Sequence, residues 1–389
     1  MQKDYIPYGR QIVDETDIEA VVEVLRSAWL TSGPLVKKFE ETLAEKTGAS
    51  YCVVFNSGTA ALHAAYHAAG IKPGDEVITT PITFAATANA ALYLGAKPIF
   101  VDIGSNSFHI DFNKIENAIT TRTRAIVPVD MAGIPAALDE IIDIAGRNNL
   151  IVIEDAAHAL GATYKDRLVG SISDLTVFSF HPVKLITTGE GGAVTTNSKD
   201  YYNKLLSFRN HGIVRDKSLF TNINSDDELS GNWYYEQQEL GYNYRLPDVN
   251  CALGLSQMKK LEQFISRRRS IAARYNEGFI NNPKLILPIE SLDENTLKQA
   301  AWHLYILQLA GSSPKRSVVL DRLREQGIGT QLHYIPVYLH PYYKKLGYKP
   351  GLCPRAEGYY RRAFTIPLYP AMTDEEVARV VRVINSSIQ

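Results

Sequence analysis

Short apolar runs alternate with segments whose apolar residues recur every three or four positions, and this alternation organises the first half of the chain. Asp14-Glu15 to about Ser27 carries Ile18, Val21, Val22 and Leu25 at helical spacing. Trp29-Leu30-Thr31-Ser32-Gly33-Pro34 interrupts that helix, and a second is expected from Leu35 to Lys46. Strands then follow at Tyr51–Phe55, Glu76–Thr79, Lys97–Val101, Ala125–Val129 and Leu150–Glu154. Helices are expected between them at Thr59–Ala69, Phe84–Leu94, Asn113–Ala118 and Leu138–Asn148. Leu175–Ser179 and Gly192–Thr196 complete the set of strands.

Strands this short and this apolar, separated by helices, predict an α/β fold with a mainly parallel central sheet covered on both faces. Ligands in such sheets bind beyond the carboxyl ends of the strands. Asn56-Ser57-Gly58-Thr59, Asp155 and the segment leading to Lys184 all fall there. Residues 216–244 are polar and loop-like, an insertion long enough to be functional and suspected to reach a partner subunit. One long helix is expected from Pro247 to about Tyr275. A smaller α+β region follows, with strands at Ala300–Leu309 and Gly329–His333 and helices at Val318–Gln326 and Asp374–Ser387. The expected division is a large domain over 1–250 and a small C-terminal domain over 251–389.

Composition narrows the function classes. The 389 residues are 45% hydrophobic and 21% charged, ordinary for a globular enzyme, and the formal net charge is −1. That balance offers no attraction to nucleic acid or to an anionic membrane. Arg267-Arg268-Arg269 reads as a solvated helix face. Cys52, Cys251 and Cys353 are too scattered for a metal site, so no metal is expected. The first residues lack an apolar signal core, and no run spans a bilayer. The expectation is a cytoplasmic protein.

Lys184 carries the chemistry. It stands in Phe178-Ser179-Phe180-His181-Pro182-Val183-Lys184, ahead of Gly189-Glu190-Gly191-Gly192, and follows a strand that ends in Glu154-Asp155-Ala156-Ala157-His158. A lysine amine can bond the aldehyde of pyridoxal 5′-phosphate, and an aspartate can keep its pyridine nitrogen protonated so that the ring withdraws electrons. Gly58 and Thr59 open a helix directly after a strand, where backbone amides and hydroxyls can hold a phosphate. Ser179 can add a second hydroxyl, and His158, three residues after Asp155, would lie near the ring's phenolic oxygen. Taken singly, each residue has a plainer reading. Ser57-Gly58-Thr59 is then a helix cap, Asp155 a strand-end carboxylate, His158 a structural histidine and Phe84 a core aromatic.

These motifs, with Phe208-Arg209-Asn210-His211-Gly212 and Gly241-Tyr242-Asn243-Tyr244-Arg245, resemble the DegT/DnrJ/EryC1/StrS family of pyridoxal-phosphate-dependent nucleotide-sugar aminotransferases. The likeness runs from Tyr8 nearly to the C-terminus. It implies the fold-type I aminotransferase architecture, with Lys184 bonded to the cofactor and Asp155 as the partner of its pyridine nitrogen. It also implies Phe84 stacked on the ring, and Thr59 with Ser179 on the phosphate. Asn243 would reach the phosphate of the neighbouring subunit, which implies a homodimer. His181 would orient substrate or assist proton transfer, with a packing role equally open.

Within the family, the stretches Ile78–Phe84, Phe178–Lys184, Thr187–Gly192 and Leu332–Tyr338 resemble the branch that acts on 4-keto sugars with an L-configured ring. The implied reaction moves the amine of L-glutamate to C4 of a UDP-4-keto-6-deoxy-N-acetylhexosamine, as in pseudaminic acid biosynthesis. A UDP-4-keto pentose, as in aminoarabinose formation, is the alternative. Substrate contacts implied by the resemblance are Tyr8, Ala28, Trp29, Leu30, Thr31, Gly58, Ser179, Asn243 and His333-Tyr334-Ile335-Pro336. Arg245 is a candidate for the glutamate carboxylate. Two rivals are weaker: a dehydratase of this fold carries histidine where Lys184 stands, and a silent regulator would add a DNA-binding domain.

Overall fold

The computed structural model describes residues 5–105, 107–221, 231–288, 293–311 and 313–389. The chain opens with α1 (Glu15–Arg26), α2 (Pro34–Thr47), β1 (Tyr51–Phe55), α3 (Gly58–Ala68), β2 (Glu76–Thr79), α4 (Ala85–Tyr93) and β3 (Lys97–Phe100). It continues through β4 (Thr123–Val127), α5 (Leu138–Arg147), β5 (Ile151–Asp155), the small hairpin β6 (Thr163–Tyr164) and β7 (Arg167–Leu168), then β8 (Leu175–Ser179) and β9 (Gly192–Thr196). The seven longer strands form one sheet in the order β1-β9-β8-β5-β4-β2-β3. Only β9 runs against its neighbours, pairing antiparallel with both β1 and β8.

Alternation along each strand explains the two-sided covering. Val53 and Phe55 pack with Ala60, Ala61, Ala64 and Ala65 of α3, while Cys52 and Val54 point the other way, toward Phe39 and Leu43 of α2. Farther along the sheet, Ala125 and Val127 join the α3 side, and Ile126 meets Leu138, Ile141 and Ile144 of α5. The alanine-rich face of α3 lets that helix lie close to the sheet, which aims its first turn at the sheet's carboxyl edge.

Beyond β9 come α6 (Lys199–Arg209), β10 (Ile213–Val214) paired with β11 (Glu236–Gln237), α7 (Asp248–Met258) and α8 (Leu261–Phe279). Part of the expected 216–244 insertion, residues 222–230, lies outside the described residues. The last part holds β12 (Leu285–Ile286), α9 (Glu294–Gln299), β13 (Tyr305–Leu309), α10 (Arg316–Glu325), α11 (Pro341–Lys345), α12 (Pro354–Arg362), β14 (Ala363–Ile366) and α13 (Asp374–Ser387). There β12, β13 and β14 form an antiparallel sheet.

Several expectations are revised. The Pro247–Tyr275 helix is two helices, broken where Gln257 donates to the Ile12 carbonyl and the Asp17 carboxylate and Lys260 pairs with Asp14 and Asp17. On α1, Ile18 and Leu25 face outward, and the buried positions are Asp17 and Val24. The strand expected from Ala300 starts at Tyr305, because Trp302 adopts a left-handed φ of 49° and the Ala301 and His303 amides bond Gly133 and Ala132 instead. Gly329–His333 makes a single bridge, Gln331 to Thr365, and Asn113–Ala118 is two short 3₁₀ turns. Arg268 is not solvated: it is buried and donates to the carbonyls of Trp302, His303 and Leu368.

β1 is an edge strand, and an ion pair covers its open side. Glu40 accepts from the Val54 amide at 3.0 Å, and Arg209 donates to the Val54 carbonyl at 2.9 Å and to Glu40 at 2.6 Å. Both side chains are nearly buried, 13% and 11% exposed. Removing the cation leaves a carboxylate stranded beside unpaired backbone. Arg209→Ala is therefore expected to lower the unfolding free energy by about 3 kcal/mol in a urea titration. The double variant Glu40→Gln/Arg209→Met is expected to recover much of that loss.

Candidate active site

The carboxyl edge of the sheet gathers the ends of β1, β5 and β8 and the start of β9. Phe55 and Ser179 both pair with Gly192 in register. Just past β1, Ser57 caps α3, its hydroxyl accepting from the Ala60 amide at 3.0 Å. The amides of Gly58 and Thr59 stand in the first turn, where no helical carbonyl precedes them and the helix dipole is positive. Two glycines make the packing possible. A Cβ on Gly192 would lie 2.7 Å from Gly58 Cα and from the Ser57 carbonyl oxygen, and one on Gly58 would lie 3.0 Å from Ser179 Oγ. The result is a cup of hydroxyls and first-turn amides on a tightly packed floor.

Asp155 ends β5 and is 4% exposed. Its Oδ2 accepts from the Thr87 hydroxyl at 2.6 Å, and its Oδ1 accepts from the Ala157 amide at 3.2 Å. Burial raises its carboxyl above the ordinary range, while those donors and the Lys184 charge oppose the rise. Lys184 lies in the turn after β8, its amide bonded to the His181 carbonyl at 2.9 Å. The stem is partly exposed, but the amine lies deep. Burial pushes the amine down to about 8, and the Asp155 charge opposes that shift.

Three histidines flank this pair and are held neutral, chiefly by burial. His158 lies well below the usual imidazole range, as does His303, whose ring packs against it tilted by 47°, centroid to centroid 4.4 Å. His333 falls to about 3, with the Lys184 charge adding to the burial. The Tyr334 hydroxyl sits 3.4 Å from His158 Nε2, and Phe84 packs 6.1 Å from the Tyr334 ring. Phe84 is not core: it is 61% exposed at the mouth of the crevice, as the N-cap of α4.

One crevice of about 660 Å³ brings together Tyr8, Gly58, Thr59, Phe84, Asp155, His158, Ser179, His181, Lys184, His333, Tyr334 and Ile335. The other expected residues lie elsewhere. Pro336 is not among those lining the crevice. Ala28, Trp29, Leu30 and Thr31 are exposed after α1, and Asn243 is exposed on the segment before α7. Arg245 lines a second crevice of about 750 Å³ and donates to Asn210 Oδ1 at 2.6 Å. Thr83, Thr87 and His303 also line or back the first crevice and were not singled out. Thr87 falls four residues after Thr83 at a helix start, a spacing that could have pointed to both hydroxyls.

Two measurements test this geometry. With its amine at about 8, Lys184 is half deprotonated near that pH, so its modification by an amine-selective reagent should rise with pH through a midpoint near 8. Surface lysines should follow the ordinary value near 10.4. Gly192→Ala puts a methyl into the floor of the cup. It is expected to weaken binding of a phosphate-bearing ligand by at least about tenfold, read by calorimetry with pyridoxal phosphate.

A model of the DegT/DnrJ/EryC1/StrS aminotransferase family matches residues 11–385. The spore coat polysaccharide biosynthesis protein SpsC of Bacillus subtilis is 42% identical over 389 residues, covering 99% of this chain and 97% of its own. A UDP-4-amino-4,6-dideoxy-N-acetyl-β-L-altrosamine transaminase of Campylobacter jejuni is 42% identical over 371 residues, covering 94% and 93%. Among solved structures, the Helicobacter pylori aminotransferase PseC, involved in pseudaminic acid biosynthesis, superposes with a TM-score of 0.90. It shares 32% identity and covers 99% of both chains. The fold, the crevice at the sheet's carboxyl edge and the match along nearly the whole length agree: this chain belongs to the DegT/DnrJ/EryC1/StrS aminotransferase family.

Proposed function

We propose that the crevice binds pyridoxal 5′-phosphate and transfers the amino group of L-glutamate to C4 of a UDP-4-keto-6-deoxy-N-acetylhexosamine, giving the 4-amino-4,6-dideoxy-L-altro sugar nucleotide. The observation that carries the reading is the placement of the Lys184 amine and the Asp155 carboxylate in one crevice beside the Ser57–Thr59 cup. The residues fit the cofactor. A buried carboxylate raised by desolvation calls for a cation, and a protonated pyridine nitrogen is one. His158 Nδ1 is buried with no hydrogen-bond partner, leaving a neutral imidazole nitrogen for a ring substituent. The cup offers first-turn amides and the Thr59 and Ser179 hydroxyls to a phosphate.

When bound, pyridoxal phosphate supplies an electron sink for the carbanion formed at the amino acid's α-carbon. The chain's residues do the rest. Lys184 would hold the cofactor's aldehyde carbon through its amine, and in its free form its Nζ would take the proton from the amino acid's α-carbon. An amine near 8 is well matched to accept that proton at neutral pH. Asp155 would keep a proton on the pyridine nitrogen, and Phe84, at the mouth of the crevice, would pack against the ring. Tyr8, His181 and His333–Ile335 line the side where substrate enters, and the part of the chain over 251–389 acts as the smaller domain that supplies 333–335.

The proposal includes a homodimer. Asn243, Arg245 and Ala28–Thr31 lie away from this chain's own crevice and are read as residues offered to the neighbour's. It also has the enzyme working in the cytoplasm, a reading that suits three buried, unpaired cysteines. Among the described residues, no helix is long and apolar enough to cross a membrane.

The deciding experiment loads the protein with cofactor, converts it to the pyridoxamine form with L-glutamate, then challenges it with UDP-4-keto sugars and identifies the product by NMR. Recovery with the 6-deoxy-N-acetylhexosamine nucleotide, and a product of L-altro configuration, is expected. Recovery with the 4-keto pentose alone would move the substrate to the aminoarabinose type. Lys184→Ala is expected to lose turnover by at least about 10⁴-fold, and wild-type rates in that variant would overturn the reading.

A further inference from the structure

We infer that Thr87 and Thr83 form a positioning relay for Asp155, and that the Thr87 hydroxyl fixes the acid's orientation and its strength as a partner for the cofactor nitrogen. The inference rests on the reading of Asp155 given above and deepens it.

The hydrogen bonds have a forced direction. An ionised carboxylate only accepts, so the single hydroxyl hydrogen of Thr87 points at Asp155 Oδ2, 2.6 Å away. The Thr87 oxygen must then accept in its contact with the Thr83 hydroxyl at 2.7 Å, and Thr83 is the donor. Both threonines are buried, at 0% and 2% exposure, so no water competes at these atoms. In such surroundings a hydroxyl bonded to a charge stabilises more than a neutral pair does.

The backbone around Thr87 is pinned as well. The Tyr66 hydroxyl of α3 donates to the Thr87 carbonyl at 2.7 Å, and the Thr87 amide donates to the Phe84 carbonyl at 3.2 Å. Branching at Cβ restricts the Thr87 side chain to few rotamers. The first turn of α4 therefore carries Phe84 at the mouth of the crevice and, three residues on, the hydroxyl that holds the acid at its floor. One helix start links the residue proposed to pack on the cofactor ring with the acid proposed to meet its nitrogen. Lys184, Tyr66, Tyr334 and Asp130 are the other titratable groups acting on or with Asp155, and all are unchanged by substitution at Thr87 or Thr83.

The test compares Thr87→Val, Thr87→Ser and Thr83→Val in the full chain. Three readouts are taken: the dissociation constant of the cofactor-free protein for pyridoxal phosphate, the pH midpoint of the visible absorption of the loaded protein, and kcat against KM for L-glutamate. Thr87→Val keeps the shape and removes the donor. It is expected to weaken cofactor binding about tenfold and to raise the absorption midpoint, because a more basic Asp155 draws the proton away from the pyridine. It should also lower kcat while KM stays within about twofold. Thr87→Ser restores the donor and is expected near wild type in all three. Thr83→Val, one link out, should shift the midpoint in the same direction by less.

A wild-type midpoint and affinity in Thr87→Val would overturn the proposal. If that variant does not fold, Thr83→Val decides, and a wild-type midpoint there overturns the relay. Asp155→Ala separates the two readings. Unchanged cofactor affinity and spectrum in Asp155→Ala would sink the assignment of the acid itself. A collapse in Asp155→Ala with no change in Thr87→Val would sink only the relay.

Discussion

A carboxylate buried at the end of a central strand constrains everything around it. Asp155 has left water at the carboxyl edge of a largely apolar sheet, so its charge must be met by donors and by a cation. Two donors come from fixed structure, the Ala157 amide just past the strand and the Thr87 hydroxyl from the first turn of α4. The cation within the chain is Lys184, brought back over the same edge by the turn after β8. Each group perturbs the other. Burial pushes the acid up and the amine down, and their mutual attraction opposes both shifts. A lysine held near 8 keeps about a tenth of its amine as free base at pH 7, far more than an ordinary lysine does, so the constraint that shapes the floor of the crevice also makes this amine easier to deprotonate.

The reversed strand matters as much as the parallel ones. With β9 antiparallel between β1 and β8, its first residue, Gly192, arrives at the edge where the neighbouring strands end. A parallel strand in that place would have put its carboxyl end and a further loop there. The reversal instead brings a glycine whose missing side chain admits the first turn of α3. The cup is thus a product of topology and of two absent methyl groups.

Much of this was legible in the sequence. The strands of the main sheet were readable because buried parallel strands are short, apolar and bounded by turn residues, and Lys184, Asp155 and the Ser57–Thr59 turn stood at their ends. What escaped reading had tertiary causes. Trp302 takes a left-handed backbone conformation because its neighbours bond Ala132 and Gly133, contacts that no local pattern announces. The break between α7 and α8 follows from side chains of an N-terminal segment more than two hundred residues away in sequence. Arg268 looked like one of three solvated arginines, yet it is buried against three carbonyls. Ile18 and Leu25 gave the right helix and the wrong buried face, since Asp17 finds its partners inside. The threonines behind Asp155 carried no charge to draw attention, and their meaning depends on a hydrogen-bond direction that only the fold supplies.

The charge inventory of the crevice bears on how it would hold a dicarboxylic amino donor. Burial keeps His158, His303 and His333 neutral, and Lys184 is the single lysine or arginine among the described residues that line the crevice. That lysine is committed to the cofactor in the proposed reaction, so a donor's carboxylates need cations from elsewhere. Arg245 lies two residues from Asn243, on a segment tied back to the chain's own cup. The Asn56 amide donates to the Tyr244 carbonyl at 2.9 Å, and the Asn56 side chain reaches the Asn243 carbonyl at 3.4 Å. The segment proposed to serve a neighbour is therefore anchored on the residue that precedes the turn opening this chain's own α3. In a dimer built this way, each subunit's cup would set the position of the groups it lends to the other.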